Sequence, residues 1–463
     1  MAAIYLSAAS KSSGKTTISI GLAAEWRRSG QRVQPFKKGP DYIDPLWLSR
    51  TTGRACINLD YHTMSAAELR ATLARYGRNA DLQLIEGNVG LFDSVDLHGR
   101  HSNAELAKLL GAPVVLILDV QGMSRGVAPL LLGYRAFDPA LPIAGVILNK
   151  VGGGRHEQNL RRVIAHYCDL PILGAVPRTP EIAITERHLG LIPSNEAAAA
   201  EAAIERIRAC IAAHVDCERI AAIATSVPAA DTESPLPSET ASAAGNSDPR
   251  VRIAIAQDDA FGFYYPDDIV ALQRSGADLI PFSPVHDHEL PAADAVFIGG
   301  GFPECRMQEL EQNRQMRAAI ADFIGSGRPA YAECGGLMYL TERLHWNDRS
   351  SRMCGVLAAE VAMHARPQGR GYVRLQETPA FPWRATRPTT DTTEISAHEF
   401  HHSAIVAADP DWVYGYRVLR GTGIDGQHDG IVHRNLLASY AHLRNVGGCD
   451  WAQRFVNRVR DLT

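Results

Sequence analysis

A small polar loop between a short apolar strand and a helix constrains this chain most strongly. The run Ile4–Ala8 is apolar and β-prone, the residues Ala9–Thr17 (ASKSSGKTT) are small and polar, and a helical pattern continues to Arg28. Such a loop points consecutive backbone N–H groups, together with the positive end of the helix, at a polyphosphate. We therefore predict a parallel α/β sheet with a nucleotide loop at the carboxyl end of its first strand.

The polar residues of this loop suit ATP and Mg²⁺. The Lys15 ammonium would neutralise the β and γ phosphate oxygens, and the Thr16 hydroxyl would reach Mg²⁺. Ala9 stands where GxxxxGK[ST] has its first glycine, which narrows the backbone angles there. A chance Gly-Lys-Thr in a βα turn is the alternative, which the strand-loop-helix context disfavours. The predicted ATP-binding residues are Ser12, Ser13, Gly14, Lys15, Thr16, Thr17 and, after a later strand, Asn149.

Bound Mg²⁺ also needs a carboxylate at a neighbouring strand end. Glu86 follows the apolar run Leu82–Ile85, and we predict it as the second Mg²⁺ ligand beside Thr16. Asp119, after the run Pro113–Leu118, is a second candidate. A cap for the following helix explains Asp119 equally well.

A segment without apolar periodicity divides the chain. Residues 226–250 (SVPAADTESPLPSETASAAGNSDPR) are rich in Ala, Ser, Pro and Thr, so they cannot bury enough surface to fold. We predict a linker there, between an N-terminal domain of residues 1–225 and a C-terminal domain of residues 251–463.

Both domains alternate short apolar runs with amphipathic stretches, which predicts an α/β fold with a parallel sheet and, in the first domain, helices on both faces. The predicted strands are Ile4–Ala8, Leu82–Ile85, Pro113–Leu118, Ile143–Leu148, Pro171–Val176, Arg252–Ala256, Asp278–Phe282, Ala295–Ile298 and Arg328–Ala332. The predicted helices are Thr16–Arg28, Ala104–Leu110, His156–Tyr167, Asp267–Ser275 and Gln312–Ile324.

Charge and cysteine content exclude several classes of protein. The 47 Lys+Arg and 51 Asp+Glu residues among 463 give a net charge of −4, which disfavours a nucleic-acid binder. The 8 cysteines form no CxxC pair, so reduced thiols and a cytoplasmic location are expected. No sequence window is apolar enough to predict a membrane span or an export signal.

A second chemical site is predicted at Cys334. The strand Arg328–Ala332 runs into Glu333-Cys334-Gly335-Gly336 and then an apolar helix. A thiol on such a turn lies at a helix N-terminus, where the dipole lowers the thiol pKa and the Gly335 N–H can bind an oxyanion. This pattern resembles the class I glutamine amidotransferase site. His442 would then be the general base, and the run Gly299–Gly301, chiefly Gly300 and Gly301, would bind the glutamine carbonyl oxygen.

Longer motifs resemble those of the cobyrinate a,c-diamide synthase family over nearly the whole chain. They are KGPDYIDP (38–45), NLD (58–60), EGNVGLFD (86–93), ELAKLLGAP (105–113), PRTPEIAITERHLGL (177–191), FYYPD (263–267), AECGGLMY (332–339) and SYAHL (439–443). The resemblance implies an ATP- and glutamine-dependent ligase of cobalamin biosynthesis that converts the acetate groups of a corrin-type ring into carboxamides. A carboxylate lacks a leaving group, so ATP would form an acyl phosphate that ammonia attacks.

The resemblance also implies roles for four residues near the nucleotide loop. Asp41, Tyr42 and Asp44 would orient the tetrapyrrole substrate or the metal, and Asp93 would deprotonate ammonium. Turn formation remains the alternative for the three acids, because Gly-Pro-Asp is a common turn tripeptide. Because ammonia must pass between domains, we expect a closed interface or an adjacent subunit of a homodimer.

Departures from the family pattern leave further alternatives. Arg444 stands where many relatives have the Glu of a Cys-His-Glu triad, which predicts a Cys–His dyad here. The segment HEFHH (398–402) would present three His on one face if it were helical, as in a zinc site, but it resembles a family motif near the macrocycle or the ammonia passage.

Other departures from the family pattern leave the identity of the tetrapyrrole ring undecided. They are Asn88-Val89-Gly90, Asp93-Ser94, Ser102-Asn103-Ala104 and Leu46-Trp47-Leu48. Sirohaem and nickel-sirohydrochlorin therefore remain alternatives to cobyrinate or hydrogenobyrinate. A nucleotide-switched partitioning module and a glutaminase without ligase activity are alternatives of other classes.

Overall fold

The computed structural model describes residues 2–184, 186–187, 190–194, 199–226, 249–383, 394–408 and 411–463. The chain forms two compact units, Met1–Leu236 and Pro237–Thr463. Residues 227–248 of the predicted linker lie outside the described part. Within the described residues, no helix combines the length and the apolar character needed to cross a membrane.

The first unit is an α/β layer structure around a parallel sheet. Its strands are β1 (Ala2–Ala8), β2 (Val33–Lys38), β3 (Ile57–Leu59), β4 (Leu82–Glu86), β5 (Val114–Asp119), β6 (Ile143–Val151), β7 (Ile172–Pro177), β8 (Glu186–Arg187), β9 (Gly190–Leu191) and β10 (Thr225–Ser226). Its helices are α1 (Lys15–Arg28), α2 (Ile43–Thr52), α3 (Ala66–Tyr76), α4 (Asn103–Leu110), α5 (Val127–Phe137), α6 (Gly154–Tyr167), α7 (Ala200–His214) and α8 (Cys217–Ile223), with a 3-10 turn at Pro180–Ile182.

Seven strands of this sheet are parallel, in the order β3-β2-β4-β1-β5-β6-β7. The alternate residues Ile4, Leu6 and Ala8 of β1 are buried in one core with α1, α2, α7 and α8. Tyr5 points to the opposite face, where its hydroxyl donates to Asn103 at the start of α4 (2.9 Å). The predicted α/β fold with helices on both faces is confirmed.

The strand register brings polar strand ends together. Lys37 of β2 lies beside Glu86 of β4, and Asp119 of β5 lies beside Asn149 of β6. Because all these strands are parallel, their carboxyl ends form one edge, which also carries the loop after β1.

The second unit is built on a mixed sheet. Its strands are β11 (Val251–Ala256), β12 (Phe261–Phe263), β13 (Ala277–Phe282), β14 (Ala295–Ile298), β15 (Gly300–Gly301), β16 (Ala330–Glu333), β17 (Thr341–Trp346), β18 (Arg349–Arg352), β19 (Leu357–Met363), β20 (Gly369–Glu377), β21 (Glu394–His401), β22 (Ser403–Ala408), β23 (Val413–Arg420), β24 (His428–His433) and β25 (Leu436–Ser439). Its helices are α9 (Pro266–Arg274), α10 (Met307–Gln312), α11 (Arg314–Gly325), α12 (Gly335–Leu340) and α13 (Trp451–Leu462), with a 3-10 turn at Pro303–Arg306.

The large sheet has the order β13-β11-β14-β16-β25-β24-β23-β20-β21. Its first five strands are parallel, whereas the pairings from β25 to β21 are antiparallel. The sequence predicts the parallel strands β11, β13, β14 and β16, but not the antiparallel strands β20, β21, β23 and β24, which contain many polar and charged residues. The predicted helix Gln312–Ile324 corresponds to α11, which begins at Arg314 because the Asn313 side chain accepts the Met316 N–H and caps the helix.

Candidate active sites

The loop after β1 depends on Gly14 and Asn149 for its conformation. Gly14 has a φ of 88°, and a Cβ added there would lie 2.2 Å from Nδ2 of Asn149. That nitrogen donates to the Ser13 carbonyl (2.8 Å). The predicted ATP-binding residue Asn149 therefore contacts the loop backbone, and only glycine fits at position 14.

Alanine at position 9 is compatible with this loop. Among the described residues that are not glycine, Ser12 has a positive φ of 61°, whereas Ala9 does not have a positive φ. The Ala9 carbonyl accepts the Tyr134 hydroxyl (2.7 Å), and Ser13 Oγ donates to the Ser10 carbonyl (2.9 Å). The backbone angles at position 9 therefore do not require the glycine that the motif usually has there.

Thr16 and Glu86, which the sequence assigns to Mg²⁺, lie together. Thr16 Oγ1 donates to Glu86 Oε1 (3.0 Å), and Glu86 is fully buried at the end of β4. Burial raises the pKa of Glu86, although the Lys37 ammonium opposes this effect. Lys15 Nζ donates to the Val89 carbonyl (2.7 Å). Burial, and then the neighbouring Lys37, lower the pKa of Lys15 to about 8.

Lys37 is a site residue that the sequence did not predict. Its ammonium is buried and lies 2.7 Å from Glu86 Oε1, 3.7 Å from Asp41 Oδ2 and in hydrogen-bond contact with Asp44 Oδ2. Burial disfavours the charge, but the carboxylates of Asp44, Glu86 and Asp41 raise the pKa of Lys37 well above its ordinary value. The sequence does not predict β2 (VQPFKK) as a strand, since this segment contains Pro and ends in two Lys. The one sequence feature that points to Lys37 as a site residue is its position directly before the motif 38–45.

The predicted substrate residues Asp41, Tyr42 and Asp44 surround the start of α2. Asp41 Oδ1 accepts the N–H groups of Ile43 (2.9 Å) and Asp44 (3.1 Å), which is the turn role that the sequence left open. Burial and the Asp44 carboxylate raise the pKa of Asp41 to about 7. Burial also opposes ionisation of Asp44, but Lys37 outweighs it and lowers the pKa of Asp44. The Tyr42 carbonyl accepts the Leu46 N–H (3.1 Å).

Asp93 and a buried asparagine hold the loop after β4. Asp93 Oδ2 accepts the Gly90 N–H (2.8 Å). The Asn103 side chain donates to the carbonyls of Asn88 and Gly90 (both 2.7 Å) and accepts the Asn88 N–H (3.1 Å). Asn88 and Asn103, two departures from the family pattern, are therefore parts of one hydrogen-bonded unit. Val89, which directly follows Asn88, belongs to the same loop, and its carbonyl accepts the hydrogen bond from Lys15.

Asp119 does not cap the next helix, which begins at Val127, and instead forms a turn and an ion pair. Its Oδ1 accepts the Gln121 N–H (3.0 Å), and its Oδ2 pairs with Lys150 Nζ (2.6 Å). Lys150 also donates to the Ser12 carbonyl (3.2 Å). Lys150 thus connects Asp119 to the backbone of the loop after β1.

In the second unit, Cys334 occupies the turn between β16 and α12. It has a φ of 46° and a ψ of −97°, its N–H donates to the Ser439 carbonyl (2.7 Å), and its side chain is buried. A Cβ on Gly336 would lie 2.0 Å from the Ile298 carbonyl oxygen, and one on Gly335 would lie 3.0 Å from the Gly301 nitrogen. Close packing of the backbone therefore requires glycine at position 336 and leaves little space at position 335, beside a strained strand-to-helix turn.

The predicted lowering of the Cys334 pKa is wrong. Burial raises the pKa of the thiol, the carboxylates of Glu304 and Glu333 raise it further, and the Gly335 N–H only partly offsets them. The helix α12 is six residues long, so its dipole is small. The resting thiol is therefore protonated and needs a base.

His442 lies against the glycine strand and a carboxylate. Its Nδ1 is 3.2 Å from Glu333 Oε2, and a Cβ on Gly300 would lie 2.7 Å from its Cε1. The ring stacks on His398 with centroids 4.9 Å apart. The sequence predicts a Cys–His dyad, and the structure adds a carboxylate at the His442 ring from the residue directly before Cys334.

Arg444 occupies the position of the expected triad acid but has a structural role. Its guanidinium is buried, bonds to Asp267 Oδ2 (2.8 Å) and lies 5.0 Å from the centre of the Tyr265 ring. This ion pair fixes the segment after His442 to the start of α9.

The glycine run after β14 contributes fewer N–H groups than predicted. The Gly299 N–H donates to the Tyr264 hydroxyl (2.9 Å), so it is not available to a ligand. Gly300 and Gly301 form β15, beside His442 and Gly335 respectively. These two glycines and Gly335 therefore remain the candidates for binding the glutamine oxygen.

The helical zinc geometry considered for HEFHH is wrong. Residues 394–401 form strand β21, so His398 and His401 point to opposite faces. His401 stacks on Tyr440 with centroids 3.8 Å apart, and Glu399 accepts the N–H groups of Thr422 (2.7 Å) and Gly423 (2.8 Å). The segment instead lies beside His442, whose N–H donates to the His398 carbonyl (2.8 Å).

Comparison with known proteins agrees with both sites. Residues 6–192 match the CobQ/CobB/MinD/ParA nucleotide binding domain, and residues 252–446 match the CobB/CobQ-like glutamine amidotransferase domain. The cobyrinate a,c-diamide synthase of Magnetococcus marinus is 45% identical over 97% of this chain and 95% of its own length. Those of Methanosarcina acetivorans (39% identical, 96% of this chain, 92% of its own) and Listeria monocytogenes serotype 4b (38%, 95%, 95%) are also similar.

The fold and its two sites define a glutamine-dependent amide ligase with a nucleotide-binding domain. The similarity extends over nearly the full length of both this chain and its relatives. The chain belongs to the cobyrinate a,c-diamide synthase family.

Proposed function

We propose that this protein uses ATP and glutamine to amidate the a- and c-acetate carboxylates of cobyrinate, or hydrogenobyrinate, in cobalamin biosynthesis. The observation that carries the proposal is the presence, in one chain, of a phosphate loop facing buried acids and of a cysteine on a strained turn near His442. The 45% identity to a cobyrinate a,c-diamide synthase over 97% of the chain favours this ring over sirohaem or nickel-sirohydrochlorin. A partitioning module would not need the thiol turn.

The first unit would activate the carboxylate. The residues Ser12 to Thr17 would hold ATP, with the Lys15 ammonium on the transferred phosphate. A substrate carboxylate oxygen attacks the γ phosphorus, the bond to the ADP oxygen breaks, and an acyl phosphate forms. Ammonia then attacks the acyl carbon, phosphate leaves, and Asp93 would take the proton from nitrogen. Asp41, Tyr42 and Asp44 would orient the ring carboxylate.

The residues around Glu86 fit Mg²⁺. Glu86 Oε2 is a buried oxygen that makes no hydrogen bond of normal length in the described part of the chain. Three carboxylates, Asp41, Asp44 and Glu86, surround one Lys37 ammonium, so negative charge is in excess. Thr16 and Glu86 would hold the ion. When bound, Mg²⁺ supplies charge neutralisation for the phosphates.

ATP affinity is expected to fall as pH rises through about 8. The Lys15 ammonium, whose pKa is lowered to about 8, is charged below that pH, and bound phosphates favour the charged form. ATP binding above about pH 8 should therefore take up a proton. Calorimetric titration in two buffers of different ionisation enthalpy measures that uptake. Lys15→Arg, which stays charged, is the control, and an affinity that does not change with pH would contradict the assignment.

The second unit would release ammonia. His442 takes the Cys334 proton, the sulfur attacks the glutamine amide carbon, and Gly300, Gly301 and Gly335 would bind the developing oxyanion. His442 then protonates the nitrogen, ammonia leaves, and water hydrolyses the thioester to glutamate.

The ring is tested with purified protein, ATP and glutamine. Cobyrinate, hydrogenobyrinate, sirohaem and nickel-sirohydrochlorin are offered separately, and mass spectrometry counts the replacements of a hydroxyl by an amino group. We expect two replacements on cobyrinate or hydrogenobyrinate and none on the other rings. Amidation of sirohaem or of the nickel compound alone would reject the proposed substrate, and glutamine hydrolysis without any amidation would indicate a simple glutaminase.

A further inference from the structure

Glu333, the residue directly before Cys334, has its carboxylate buried between two strands. Its Oε2 lies 3.2 Å from His442 Nδ1. Its Oε1 accepts the Leu443 N–H (3.0 Å) and the Tyr331 hydroxyl (2.6 Å). One oxygen is thus anchored by two donors while the other faces the imidazole.

The surroundings keep this carboxylate from turning away. Tyr331 and Glu333 are two residues apart on β16, so their side chains share one face of the strand. The Tyr331 ring is fully buried and stacks on Phe297 with centroids 5.0 Å apart. Glu333 pairs with Ser439 of β25, three residues before His442. The acid therefore lies at the end of β16, and the histidine follows the end of the adjacent parallel strand β25.

Other charged groups near His442 have different partners. Asp429 uses its two oxygens to accept the N–H groups of Tyr440 (3.0 Å) and Ala441 (2.9 Å). Arg444 bonds to Asp267, as described above. The structure thus places an oxygen of Glu333 at His442 Nδ1.

We propose that Glu333 is the positioning acid of the glutamine site: it holds His442 with its Nδ1 protonated, so that Nε2 is the nitrogen that takes the Cys334 proton. The inference rests on the proposed glutaminase chemistry. A carboxylate accepts the Nδ1–H, which fixes the tautomer, and its charge stabilises the imidazolium formed when the thiol proton moves to Nε2.

Glu333→Gln tests this role with little change of shape. The Gln oxygen can still accept from Leu443 and Tyr331, but its NH₂ would face His442 Nδ1 and favour the tautomer with Nε2 protonated. We expect glutaminase kcat to fall by roughly 10³–10⁴-fold, as for a triad with the wrong tautomer, with little change in glutamine KM. Ammonium-dependent amidation should stay at the wild-type level. Glu342→Gln, an exposed acid on β17, is the matched control.

Three results would overturn the proposal. Glutaminase kcat of Glu333→Gln within about threefold of wild type is one, since a lost positioning acid costs far more. A parallel loss of ammonium-dependent amidation and of thermal stability would indicate a structural role. The third result comes from NMR of ¹⁵N-histidine-labelled wild-type protein and needs no stable Glu333 variant. The His442 signal is assigned as the one that is missing in His442→Gln. We expect it to report a protonated Nδ1, and a protonated Nε2 would reject the role. Wild-type protein without glutaminase activity would instead reject the proposed function.

Discussion

Cys334→Ser is expected to abolish glutamine-dependent amidation and to leave ammonium-dependent amidation intact. The buried thiol forms the covalent bond to the glutamine carbon, and a serine hydroxyl on the same turn is a much weaker nucleophile. We expect the loss to be roughly 10³-fold or more, the scale typical of removing a nucleophile. Because ammonium salts at alkaline pH supply ammonia directly, the first unit needs no thiol under those conditions.

The measurement is amide formation with each nitrogen source, beside glutamate release from glutamine alone. Cys449→Ser is a suitable control, since Cys449 is half-buried in the same unit but lies outside the strand-to-helix turn. It should retain both activities. Equal loss with glutamine and ammonium in Cys334→Ser would contradict the division of work between the two units.

Lys15→Ala is expected to stop amidation with either nitrogen source. The variant removes the ammonium that would neutralise the transferred phosphate, and the buried Lys37 cannot replace it, because Asp44 and Glu86 already hold that charge. Loss of such a clamp typically lowers kcat by roughly 10²–10³-fold. Both amide formation and ATP-dependent phosphate release should fall together.

Glutaminase activity of the second unit separates this effect from unfolding. It should persist in Lys15→Ala, because Cys334, His442 and Glu333 are untouched. Lys108→Ala, on α4, removes a lysine that pairs with Glu105 and Asp138, and it should leave amidation near the wild-type rate. Normal amidation by Lys15→Ala would remove the phosphate loop from the mechanism.

Local motifs explain why much of both sites could be predicted. The phosphate loop and the cysteine turn are each continuous segments of a strand, small residues and a helix, so their backbone geometry is encoded within about ten residues. Pairing of Thr16 with Glu86 followed from the rule that parallel strands end at one edge. The pKa of Cys334 did not follow, because it depends on burial and on Glu304, which another segment supplies.

Groups whose partners come from distant segments could not be predicted. Lys37 is defined by Glu86, and Glu333 by His442 109 residues later. The strand at residues 394–401 also depends on its pairing with β20 and not on local periodicity. In each case the deciding interaction joins parts of the chain that only folding brings together.

By itself, the sequence determined the α/β class, the loop that would hold the phosphates and the cysteine that would attack glutamine, because each is set by short-range backbone preferences. The tertiary structure alone decided which carboxylates share the buried Lys37 ammonium, which acid holds His442 and how far burial raises the thiol pKa. These properties depend on desolvation and on charge–charge distances, which exist only once separate strands have packed against one another.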